Sequence, residues 1–103
     1  SYSMPMCVVV TRDVPARFRG FLASCMLEIA PGVYTQPDMS AGVRDRVWRV
    51  LEGWWESLRQ GSIVMTWAAP TAAERQGVLT LGEPPKDLVE YDGLYIVRRA
   101  IKD

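Results

Sequence analysis

Arg12, Asp13, Arg17 and Arg19 follow closely on the apolar run Met6-Cys7-Val8-Val9-Val10-Thr11. Ten of the twelve basic residues of the chain are arginine. A guanidinium grips phosphate through parallel N–H bonds and loses less hydration than an ammonium, so this corner has the chemistry of a small phosphate-backbone contact. At about 100° per residue, Arg17 and Arg19 lie about 200° apart on a helix, flanking Phe18 on both sides. They do not enclose a pocket, but they could straddle a duplex. The plainer account is that they snorkel at the rim of a buried stripe. Asp13 could hold a hydrated divalent cation if a dimer axis brought two copies together. Alone, it reads as an acid leading into a helix whose positive N-terminal end favours it.

The remaining chemistry is bounded by what the sequence lacks. There is no histidine, which removes Ser-His and Cys-His nucleophile activation, imidazole acid-base catalysis and His-ligated zinc. Cys7 and Cys25 match no metal spacing and sit in apolar runs, so they read as reduced core thiols, which suits a cytoplasmic protein. Twelve basic and twelve acidic residues give zero formal net charge, so any nucleic-acid footprint must be local. No apolar run approaches the ~20 residues of a membrane span, and nothing resembles a signal peptide, so no membrane partner is expected. Ser1-Tyr2-Ser3 reads as a cloning remnant before Met4 or Met6. At 103 residues and 49% hydrophobic content the chain is read as one domain, 1–103, with a thin core that a self-associating partner would help.

The elements that must position these residues follow from periodicity. The β-branched run at residues 6–11 predicts a strand buried on both faces. Pro15 suits the first turn of a helix over about 15–26, in which Phe18, Phe21, Leu22, Cys25 and Met26 form one stripe, ended before Pro31-Gly32. Gly32 to Thr35 predicts a short strand, and Asp38 or Ser40 would cap a second helix. In that helix Val43, Val47, Val50, Leu51, Trp54 and Leu58 share one stripe, Asp45, Arg49, Glu52, Glu56 and Arg59 oppose it, and Gly61 supplies the stop. Trp48 and Trp55 fall beside the stripe, where they thicken the core, meet a partner or, with Arg44 four residues from Trp48, stack.

Residues 63–68 and 78–81 predict a hairpin, residues 82–92 a surface loop, and Leu94-Tyr95-Ile96-Val97 a last strand. The order β-α-β-(turn)-α-β-β-β fits an α+β ferredoxin-like βαββαβ sandwich: two helices on one face of a mixed sheet, plus an extra C-terminal strand. A surplus strand is an edge to be capped, and pairing residues 94–99, or the 78–81 strand, with another protomer caps it.

Val8-Val9-Val10-Thr11, then Val14-Pro15, Arg17, Arg19-Gly20, Leu27-Glu28, Pro31-Gly32-Val33-Tyr34 and Ser40 resemble the CRISPR-associated protein two family in its type I-E branch. The resemblance continues through Trp48, Ile63-Val64-Met65-Thr66-Trp67-Ala68, Thr80-Leu81-Gly82 and Asp92-Gly93-Leu94, and so covers almost the whole chain.

It implies a ferredoxin-like homodimer at the centre of a spacer-acquisition complex, clamped between two dimers of the CRISPR-associated protein one integrase, which does the chemistry. In that role the dimer is a non-catalytic scaffold and ruler that contacts the backbone of foreign double-stranded DNA. Its C-terminal strands, here Leu94, Tyr95, Ile96 and Val97, dock the integrase. Arg17 and Arg19 fall on the branch's phosphate-contacting positions. The branch's late-loop basic pair falls near Pro85-Lys86, where only Lys86 is basic. The alternative that the wider family implies is a magnesium-dependent endonuclease on RNA or DNA, using an aspartate at the end of the first strand across the dimer axis. This chain has Arg12 where the branch carries its acid and Asp13 one residue later, and a one-residue shift at a strand end redirects a side chain. The expectation is therefore no intrinsic catalysis and no cofactor, with magnesium at Asp13 as the alternative.

Overall fold

The computed structural model of the protein describes residues 4–82, together with the backbone alone of residues 87–91 and 94–98. Along the chain run β1 (Cys7–Arg12), α1 (Ala16–Cys25), β2 (Leu27–Ala30), β3 (Val33–Gln36), α2 (Ala41–Leu58), β4 (Ser62–Ala68), β5 (Gln76–Leu81), β6 (Asp87–Tyr91) and β7 (Leu94–Arg98). The first five strands form one sheet in the order β2-β3-β1-β4-β5, while β6 and β7 pair only with each other. Every neighbouring pair is antiparallel. The fold is thus α+β and compatible with the ferredoxin-like sandwich. The expected mixed sheet is corrected to an antiparallel one, because each helix carries the chain over one intervening strand: α1 from β1 past β3 to β2, and α2 from β3 past β1 to β4.

Burial alternates along β1. Cys7 and Val9 are fully buried, and across the ladder they meet Gln36 and Tyr34 on β3 and Trp67 and Met65 on β4. The same core holds Phe18 and Leu22 of α1 and Val47, Trp48 and Leu51 of α2, so both helices cover one face of the sheet. Residue Val10 points to the other face and is 42% exposed. The expectation that β1 is buried on both faces is corrected accordingly. In α2 the buried arc is rotated toward Trp48, leaving Val43 and Leu58 exposed.

Local chemistry explains the element ends. The hydroxyl oxygen of Ser40 accepts from the Val43 N–H at 3.2 Å, so Ser40 rather than Asp38 caps α2. Helix α2 closes on Arg59, which takes a left-handed φ of 43°. Gly61 follows at φ 80°, and a Cβ there would run into the carbonyl oxygens of Arg12 and Asp13. Strand β2 starts one residue after α1, through an extended Met26. Its four residues are too short a run to read as a strand, and no glycine or proline separates it from the helix; in the structure all four are exposed. β6 likewise lies in the stretch read as a loop.

Candidate nucleic-acid interface

The corner between β1 and α1 is fixed by backbone contacts. The last ladder pair of β1 is Arg12 with Ser62, after which Asp13 turns out of the sheet at φ 56°. The Gln60 side-chain amide donates to the Asp13 carbonyl at 3.1 Å, and Gly61 lies against the same peptide. Asp13 is exposed. It does not cap α1: the cap residue is Pro15, with no side-chain cap bond and no acid in the first turn. Among the described residues no three His, Cys, Asp or Glu side chains gather where a cation could sit. Within one chain Asp13 therefore supplies a single carboxylate, a donor set that does not fit a divalent cation unaided.

Arg17 and Arg19 leave α1 in different directions, as their angular separation requires. The Arg17 guanidinium lies over the indole of Trp54 on α2, 4.3 Å from the ring centroid. Phe18 and Phe21 in turn meet Trp54 edge-on, at 5.5 and 5.4 Å between centroids with interplanar angles of 77° and 73°. Arg19 faces the β2–β3 side, where its charge acts on Tyr34. The Tyr34 ring is fully buried and its hydroxyl has no hydrogen-bond partner among the described residues. Burial first, and then the nearby Glu28 carboxylate, push this phenol up, while Arg19 pulls it down. Both arginines are exposed, and neither has a carboxylate within 4 Å among the described residues, whose one ion pair is Arg44 with Asp45 at 3.8 Å. Lys86 lies outside the described residues.

Two further stacks come from the tryptophans. Arg44 lies over Trp67 at 4.0 Å rather than over Trp48, and Trp67 in turn covers Gly77, where a Cβ would meet the indole. Arg59 lies 5.6 Å from the Trp55 ring, whose indole N–H donates to the Gly61 carbonyl at 3.2 Å. Sequence reasoning placed Trp54 in the core stripe and missed its role as a platform for Arg17. Periodicity within one helix carries no signal about a residue on another.

The sheet face away from the helices carries valines interleaved with Thr35, Thr66 and Thr80. Val8, Val33, Val64 and Val78 are half-buried there, beside the exposed Val10 and Leu27. At one end Met6, Val8, Thr66, Trp67, Ala68 and Gln76 line a shallow depression of about 300 Å³. The segment Leu94 to Val97 belongs to β7 and pairs with Leu88 to Tyr91 of β6. Both cysteines are free thiols. Cys7 lies in the core, where burial pushes it up to about 11 against the opposing charge of Arg44, and Cys25 is half-buried and also raised by burial.

No helix among the described residues is long and apolar enough to cross a membrane. Residues 6–96 match the family described as CRISPR-associated protein (Cas_Cas2CT1978), from the residue before β1 into β7 and through every element of the sheet and both helices. Because the match spans most of the sequence, the chain belongs to this CRISPR-associated, Cas2-like family.

Proposed function

We propose that the protein is a type I-E, non-catalytic scaffold subunit of the spacer-acquisition complex, acting as a homodimer that holds foreign double-stranded DNA by its backbone and bridges integrase dimers. The observation that carries this reading is the exposure of Arg17 and Arg19 on opposite flanks of α1, each without a carboxylate within 4 Å among the described residues. Paired arginines are spent on their partners, whereas unpaired ones keep their N–H edges for phosphate.

The open face supports the homodimer. Valines at mid-sheet that no helix among the described residues covers are what a second copy would bury. The separate β6–β7 sheet supports docking of a partner, since an isolated two-stranded hairpin is marginal in water and gains from a surface to pair with. Asp13 is a lone, exposed carboxylate at the turn, and the reading gives it no catalytic role.

The test is binding of a mixed-sequence DNA duplex by the complex with the integrase over a salt series. Arg17→Ala combined with Arg19→Ala is expected to weaken binding and reduce the slope of log affinity against log salt by about 0.9 for each phosphate that is no longer neutralised. An unchanged affinity and slope would remove the proposed contact surface.

A further inference from the structure

Arg17 carries the proposed contact, yet it is a long side chain on the exposed first turn of a helix, and such a group loses considerable rotamer freedom when a ligand fixes it. In this chain the freedom is already restricted. The guanidinium carbon lies over the Trp54 ring, 4.3 Å from its centroid and well inside the about 6 Å range of cation–π attraction. Trp54 itself is half-buried and held in T-shaped contact with Phe18 and Phe21. The two rings come from α1 and the indole from α2, so the platform is rigid only when the two helices are packed together.

A guanidinium that stacks on a ring through its face keeps its edges free. All five N–H donors of an arginine lie in its plane, and no N–H of Arg17 has a hydrogen-bond partner among the described residues. A phosphate approaching in that plane meets a fork already oriented. Arg19 has no aromatic platform among the described residues, so the two arginines differ in how far they are ordered beforehand.

We infer that Trp54 is a positioning residue for DNA binding: it holds the Arg17 guanidinium by its face so that the edge is presented to a backbone phosphate. This rests on the proposed function above. Trp54→Leu keeps an apolar side chain under the arginine and removes the π face, while Trp54→Phe keeps a ring.

The experiment measures affinity for a labelled mixed-sequence duplex, in complex with the integrase, for wild type, W54L, W54F, R17A and the double variant W54L/R17A. Thermal unfolding is recorded beside each. W54L is expected to bind roughly threefold to fivefold more weakly, W54F to recover most of that loss, and W54L to add nothing in the R17A background. In the free protein the Arg17 side-chain methylene proton resonances, shifted by the indole ring current, are expected to return toward ordinary values in W54L. Wild-type binding by W54L alongside weakened binding by R17A would overturn the inference while leaving the proposed function standing. Equal losses in W54L and W54F, or a W54L loss that persists in full in the R17A background, would also overturn it, by showing that Trp54 acts through packing alone. Wild-type binding by R17A would instead overturn the proposed function.

Discussion

Val9 and Val10 are neighbours in β1, yet Val9 is fully buried beneath the helices while Val10 stands 42% exposed on the opposite face. The same contrast runs across the sheet, with Met65 buried and Val64 half-buried on β4, and Tyr34 buried between Val33 and Thr35 on β3. The covered face is where this chain makes its own stability, because there the helices supply partners for each apolar side chain. The open face carries valines among threonines without a helix over them among the described residues, so its apolar surface is offered for association.

Substitutions on the two faces should therefore fail in different ways. The largest effect is expected from Leu22→Ala, which leaves a cavity among fully buried neighbours and should cost about 2–5 kcal/mol in denaturant unfolding. Val10→Ala should cost less than about 1 kcal/mol in the same experiment, and equal losses would erase the distinction between the faces.

Next in size is an effect on association. Val10→Asp places a charge in the middle of the open face without entering the core. Sedimentation equilibrium should give a dimer for wild type at micromolar concentration and a monomer of unchanged circular dichroism for the variant. A wild-type monomer, or a dimeric variant, would show that the open face is not the contact.

The smallest effect concerns alkaline pH. Burial raises the Cys7 thiol from 9.0 to about 11, so the unfolded chain releases this proton first. With fewer protons bound in the unfolded state, stability falls as pH rises: Cys7's contribution is fully present below pH 9.0 and declines up to about 11. Cys25 and Tyr34 shift in the same direction and add to the slope. Cys7→Ala should flatten, though not abolish, the decline in a pH series of unfolding free energies.

These faces also show what a sequence can reveal. The stripe of Phe18 and Leu22, a cap at Asp38 or Ser40 and the β4–β5 hairpin were legible because spacing and local hydrogen bonding decide them. Strand β2 was not, since Leu27 to Ala30 are all exposed and carry no alternation of burial to read. The two faces of β1 look identical in Val8-Val9-Val10, and only the placement of the helices separates them. At the candidate site, the divergence of Arg17 and Arg19 follows from helical geometry, whereas the stack on Trp54 depends on how α1 meets α2. The family pattern was legible along almost the whole chain because it is carried by short local motifs in a fixed order.

On the proposed scaffold reading the chain contributes a surface and no chemistry, and spacer acquisition in cells by an Asp13 variant tests that most directly. Asp13 has a φ of 56°, a conformation that costs asparagine little and alanine about 1–2 kcal/mol, so Asp13→Asn removes the charge with the least added strain. Asp13→Ala serves beside it as the variant that removes every donor atom of the side chain. Acquisition at close to the wild-type rate with both variants is the result expected of a scaffold. Loss of acquisition in both, with the protein still folded and dimeric, would contradict it and make Asp13 part of an active site.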